Sequence, residues 1–396
     1  MSCELKLRGI LSLLLGAAIA SSAARAADDA EPNKPGQQPV PEAPDPFAVP
    51  DGNPQEMLAY IEELRGRQPA GTDAQAVAAF KDKVHRAIVE AADKAIAGKP
   101  TDQQLESALS WKVIALNSLE ESGDAGAAGK LKKLLDDLKK SGKTEFVREI
   151  RGFLFERKLG AAVTAGPEQT KKLVAQIEQF IGEAPPGRAE VRLAIRVGRT
   201  LERVGNGELA ADTYRRLAKV FAGSDNKAIV RISLKMEGIA RRLTLLGKKM
   251  HLEGTFLDGK PLKWDEYRGK IVLVQFWATW CGPCRAEIVN VKSSYELYQD
   301  RGFEVIGVNC DNDRKMLEEY LENDPLPWKN LFSTDAAAAG MDNPMATYYG
   351  VLGIPTLILV GPDGNVVSLN TRGPMLGQHL EKLLGPAEEK GEEGGE

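Results

Sequence analysis

The sequence predicts an α/β domain, with a mixed but mostly parallel central sheet and helices on both faces, preceded by an all-α domain of helical hairpins. Three observations carry this. From about Gln55 to Lys249 the apolar residues recur with a helical period; after Gly254 short apolar runs suited to buried strands alternate with helices; and 396 residues exceed one ordinary core, since a domain typically holds ~100–200 residues.

The chain opens with Lys6 and Arg8, an apolar stretch from Ile10 to Ala20, and Ala24-Arg25-Ala26. A basic start, a short apolar stretch and small residues around a cut site make an export signal over 1–26. The stretch is about half the ~20 residues of a spanning helix, so an uncleaved membrane anchor is the alternative. An exported protein, periplasmic or otherwise extracytoplasmic, is expected. Cys3 leaves with the signal, and the mature chain keeps Cys281, Cys284 and Cys310. An odd number of cysteines argues against a structural disulfide framework and for a reactive pair plus one spare thiol. Hydrophobic residues at 43% and charged residues at 27% are ordinary for a soluble globular protein. A formal charge of -4 supplies no basic field to hold phosphates, which excludes nucleic acid as a partner.

Residues 27–54 form a Pro-rich linker: eight prolines and almost no large apolar side chains bury too little surface to offset ordering. In 55–249 the pattern is amphipathic, as at Leu131, Leu134, Leu135 and Leu138 or Leu173, Val174, Ile177, Phe180 and Ile181. Breaks such as Gly98-Lys99-Pro100, Ala184-Pro185-Pro186 and Gly205-Asn206-Gly207 cut it into helical hairpins. The pair Val191–Phe221 resembles a tetratricopeptide unit through Leu209, Ala210, Tyr214 and Leu217, without a strict repeat. Such a stack offers a surface to a protein partner, or serves as a spacer or dimerisation region. Residues 386–396, rich in Glu and Gly, form a disordered acidic tail.

In 250–385, Gly254–Lys260 suggests a hairpin around Asp258-Gly259. The apolar run Ile271–Trp277 suits a buried strand, and further strands fit Phe303–Val308, Trp328–Phe332, Thr356–Val360 and Val366–Leu369. Helices fit Pro283–Gln299, Asp313–Glu322, Pro344–Tyr349 and Met375–Leu384.

Trp280-Cys281-Gly282-Pro283-Cys284 follows the apolar strand and opens a helix. Unpaired backbone N–H groups and the helix dipole there favour a thiolate at Cys281. Two intervening residues set the second sulfur one turn away, within reach of a mixed disulfide. Zinc is the alternative use of such a pair, but His85, His251 and His379 stand apart and no second pair exists. No metal and no cofactor beyond the redox-active dithiol is expected.

The stretch Phe276–Glu287, with Tyr349-Gly350-Val351-Leu352-Gly353-Ile354-Pro355-Thr356 and Asp363-Gly364, resembles the active-site and cis-proline segments of extracytoplasmic thioredoxin-like proteins of the TlpA/ResA type. The resemblance covers about residues 250–385, and the helical-plus-thioredoxin layout is similar to that of planctomycete-like homologues. It implies a thioredoxin-like fold and a thiol:disulfide oxidoreductase in which Cys281 attacks and Cys284 resolves. It implies that Trp280, Gly282 and Pro283 shape the site, and that Pro355 is cis, with the backbone of Ile354 pairing with a substrate segment. Glu287 stands where the family keeps an active-site acid. Gln275 replaces thioredoxin's buried Asp and cannot titrate, which would leave the proton of Cys284 to Glu287 or water. Val289 replaces a usual Pro, so the kink of that helix is expected to be absent. Cys310 is expected as a small buried hydrophobe; a regulatory thiol is the sharper alternative.

The resemblance further implies a reductant of protein disulfides, kept reduced by a membrane electron-donor protein. Two alternatives stand beside it. One is a helical adaptor that docks partners to a redox domain. The other is a peroxidase of the peroxiredoxin class, whose motif would need Pro and Thr or Ser where Val274 and Ala278 stand.

Overall fold

The computed structural model describes residues 45–386, which form two compact units divided between Leu154 and Phe155. The first contains α1 (Pro54–Gly66), α2 (Ala74–Ala97), α3 (Asp102–Glu121), α4 (Ala125–Lys140) and the start of α5 (Thr144–Ala165). Asn53, Asp73, Thr101 and Asp124 cap the first four, each accepting backbone N–H groups that the first turn leaves unpaired. Met57, Ile61 and Leu64, at helical spacing on α1, pack with Ile88 and Ala91 of α2 and Trp111 of α3. Leu109, Val113 and Leu116 of α3 close a second cluster with Leu131 and Leu138 of α4 and Ile150 of α5.

The expected linker over 27–54 ends early. Phe47 and Val49 pack on the α1–α3 cluster, Tyr60 Oη donates to Ala48 O at 3.0 Å, and Lys94 Nζ donates to Val49 O at 2.9 Å. Prolines already restrict the chain, so few contacts suffice to order it. The expected signal (1–26), the linker to residue 44 and the tail beyond Pro386 lie outside the described residues.

The second unit continues with α6 (Pro167–Gly182), α7 (Arg188–Arg203), α8 (Gly207–Ala222) and α9 (Lys227–Leu243). Ile177, Phe180, Leu193, Val197, Tyr214 and Met236 share its helical core. α9 then docks on the segment ahead of the fourth strand. A Cβ on Gly238 would lie 2.4 Å from both Gly350 N and Thr347 O, and Gly350 itself has φ +59°. Two glycines thus let backbone meet backbone. Arg242 Nε donates to Tyr349 O at 3.1 Å, Lys235 Nζ to Met341 O at 3.0 Å, and Arg241 to Tyr348 O. Regular helix stops at Leu243, ahead of the expected boundary at 249. Packing, however, groups α6–α9 with the sheet.

That sheet contains β1 (Ile271–Trp277), β2 (Phe303–Asn309), β3 (Lys329–Leu331), β4 (Thr356–Val360) and β5 (Val366–Ser368), in the order β3-β2-β1-β4-β5. α10 (Gly282–Tyr298), α11 (Arg314–Asn323), α12 (Pro344–Tyr348) and α13 (Pro374–Leu384) pack their apolar residues against it. This is a thioredoxin-like fold. β1, buried at all seven positions, is the central strand expected of a continuous apolar run. The sheet is more evenly mixed than expected. β1–β2 and β2–β3 are parallel, whereas β1–β4 and β4–β5 are antiparallel. The short turn closed by Gly361 N to Asn365 O at 2.8 Å allows only an antiparallel return. The expected hairpin around Asp258-Gly259 forms as a short one, with an antiparallel bridge from Thr255 to Pro261 and bonds from Phe256 N to Lys260 O at 2.9 Å and Leu262 N to Gly254 O at 2.8 Å; Pro261, which has no N–H, keeps the ladder short.

Candidate active site

The carboxyl ends of β1 and β2, the start of α10 and the segment entering β4 converge on one pair of sulfurs. Cys281 is the N-cap of α10, and its Sγ accepts from Cys284 N at 3.2 Å. The two cysteines are joined, with an S–S length of 2.03 Å and Cα atoms 5.2 Å apart, so the structure describes the oxidised state. Cys281 is 5% exposed and Cys284 0%, so Cys281 is the more accessible of the two. Pro283 occupies the first turn of α10, where a missing N–H costs nothing. A Cβ on Gly282 would meet nothing within 4 Å, leaving the approach open. Trp280 is 54% exposed beside the pair, while Trp277 is fully buried and donates through Nε1 to Asn330 Oδ1 at 2.9 Å. The Ile354–Pro355 bond is cis, and Ile354 O lies 3.7 Å from Cys281 Sγ.

Asp311 went unnoticed in the sequence. Its carboxylate is buried and accepts from Thr279 N at 3.0 Å, Thr279 Oγ1 at 2.7 Å and Asn309 Nδ2 at 2.7 Å. A buried carboxylate needs such donors, and here they hold the turn that delivers Cys281. Its position just past β2, beside the end of β1, was the available signal, since open α/β sheets place their sites at carboxyl strand ends.

Glu287 follows Cys284 by one turn, but its Oε1 accepts from Gly373 N and Asn290 Nδ2, both at 2.9 Å. It therefore ties α10 to the entry of α13. Its Oε2 makes no hydrogen bond among the described residues. Gln275 is buried, opposite Gly307 and Leu357, and neither amide atom finds a hydrogen-bond partner among the described residues. α10 runs unbroken through Val289, which is exposed. Cys310 is buried and free; burial first, then the charge of Asp311, pushes its thiol up to about 12. Among the described residues no helix is long and apolar enough to cross a membrane.

Residues 245–378 match the family described as Redoxin. Thiol-disulfide oxidoreductase ResA of Geobacillus thermodenitrificans is 31% identical over 131 residues, 32% of this chain and 71% of that protein. The chain belongs to this family of thiol-disulfide oxidoreductases. The ResA of Bacillus thuringiensis is 28% identical over 130 residues, 33% of this chain and 70% of its own. Human nucleoredoxin is 33% identical over 121 residues, 30% of this chain and 27% of that one. Among solved structures, the thioredoxin domain of a thiol-disulfide oxidoreductase from Bacteroides vulgatus is 28% identical, with a TM-score of 0.32, covering 35% of this chain and 97% of that domain. The ResA-type match thus accounts for about the last third of the chain and contains the Cys281/Cys284 pair.

Proposed function

We propose that this protein reduces disulfides in other proteins outside the cytoplasm, through the dithiol form of Cys281 and Cys284. The observation that carries the reading is the asymmetry of the pair: Cys281 is the more accessible and caps α10, while Cys284 is fully buried behind it. The Cys281 thiolate attacks one sulfur of the substrate disulfide, forming a mixed disulfide and releasing one substrate thiolate. Cys284 then attacks the Cys281 sulfur, releases the second thiolate and leaves the oxidised pair. Two electrons and two protons from a membrane donor protein restore the dithiol.

Trp280, Gly282 and Pro283 form the rim on which the substrate lands, and Ile354, ahead of Pro355, offers its backbone to a substrate segment as a short added strand. Glu287 handles the proton of Cys284 through its unengaged oxygen. Export is supported by the signal-like segment at 1–26 and the odd number of cysteines after it. Direction is tested by equilibrating the pair in a dithiothreitol series. A potential near thioredoxin's roughly -270 mV makes the protein a reductant, whereas one near roughly -120 mV makes it an oxidant and overturns the proposal.

A further inference from the structure

A cavity of about 290 Å³ lies between helices α7–α9 and the segment that enters β4. Ile354 lines it on one side, and its carbonyl oxygen is the atom 3.7 Å from Cys281 Sγ. On the other sides stand Arg199 and Glu202 of α7, Tyr214 of α8, Arg242 of α9, and Arg372. Three guanidinium groups therefore face one carboxylate, and that carboxylate is already engaged. Tyr214 Oη donates to Glu202 Oε1 at 3.1 Å, and Glu202 Oε2 lies 4.0 Å from Arg242 Nη2.

Arg242 spends its Nε on Tyr349 O at 3.1 Å and keeps only 17% of its side chain exposed. Burial pulls its pKa down and Glu202 pushes it back up. The side chains of Arg199 and Arg372 are exposed and make no hydrogen bond or ion pair among the described residues. A partly enclosed cavity with surplus positive charge attracts an anion, and the more strongly the less water it holds. Ile239 and Leu352 add apolar wall, which suits an anion carried on an aliphatic stem. The walls are held in place by the backbone contact of Gly238 with Gly350.

Position supplies the rest. A polypeptide that pairs with the backbone of Ile354 while its cysteine meets Cys281 runs past the mouth of this cavity. Extended chain advances about 3.3 Å per residue with alternating side chains, so a residue about two positions from the cysteine projects toward the arginines. We propose that the cavity is a specificity site that takes the carboxylate of an acidic side chain, preferably glutamate, flanking the cysteine that Cys281 attacks. The inference rests on the oxidoreductase reading above and gives α7–α9 a part in substrate selection.

The test uses the reduced full-length chain and disulfide-linked peptides that differ only in carrying Glu, Gln or Lys two positions from the cysteine, with glutathione disulfide as a low-mass carboxylate control. The expected kcat/KM is about tenfold higher for the Glu peptide than for the Gln peptide at low ionic strength, the range of one partly desolvated charge pair, and shrinks with added salt. The Arg199→Gln/Arg372→Gln double variant should bring the Glu-to-Gln ratio to about one. The Arg199→Glu/Arg372→Glu variant should favour the Lys peptide, which a loss of folding would not produce. A wild-type ratio near one overturns the proposal without any variant. So does a ratio that survives in the double variant, or an arginine dependence confined to glutathione disulfide. Failure to reduce any of the peptides would instead sink the oxidoreductase reading and the specificity site with it.

Discussion

Both units stack amphipathic helices by the same rules, yet they use their helices differently. α1–α4 are capped by side chains and bury apolar faces on one another. α7–α9 also bury apolar faces on one another, but α9 presses a glycine against the backbone of Gly350 and, with α7, brings arginines to the cavity that Ile354 lines. The first arrangement yields stability; the second turns helices into part of a redox site. Changes in the first unit should therefore move stability alone, and changes in the second should move chemistry as well.

The largest expected effect is in α9. Gly238→Val places atoms where Gly350 N and Thr347 O already stand at 2.4 Å from a Cβ, and backbone cannot yield as a side chain tip can. A loss of about 3 kcal/mol or more in unfolding free energy is expected, with loss of disulfide reduction. A cost under about 1 kcal/mol in a denaturant titration would mean α9 is not docked there.

Next comes Glu287, where Gln keeps an acceptor for Gly373 N but removes the charge. Glu287→Gln should leave the melting temperature within a few degrees of wild type and slow the decay of a pre-formed mixed disulfide about tenfold in stopped flow. An unchanged decay would reduce Glu287 to a clamp between α10 and α13.

The smallest effect sharpens the contrast from the other side. Gly129 of α4 is exposed, and a Cβ there would meet nothing within 4 Å. Gly129→Ala should stabilise the chain by about 0.5–1 kcal/mol through helix propensity alone, with kcat/KM unchanged. A loss of activity would show that the first unit takes part in the chemistry.

What was legible in the sequence was local. Cys281, Cys284 and Pro355 sit in short motifs, and β1 and the other four strands follow from runs of apolar residues. Features that depend on distant residues meeting were not legible. Asp311 reaches back to Thr279, Glu287 reaches Gly373, and the arginine cavity gathers positions from Arg199 to Arg372. No periodicity marks such meetings. The docking of Phe47 and Val49 within a proline-rich stretch was hidden for a related reason: composition describes the solvated chain, whereas two well-placed apolar side chains decide whether it is held.

The account depends most on the division of labour between the two sulfurs. Cys284→Ser, reduced and mixed with an oxidised protein substrate, should accumulate a covalent complex that dithiothreitol releases, while Cys281→Ser should form none. Cys310 serves as the internal control. With its thiol pushed up by burial and by the charge of Asp311, it is held as the thiol near neutral pH and should neither trap substrate nor alkylate in the folded protein. Non-reducing electrophoresis with mass mapping of the linked peptide reads the result. A complex through Cys281 in the Cys284→Ser protein supports the mechanism, and a complex through Cys284 in the Cys281→Ser protein, with none in the other, contradicts it.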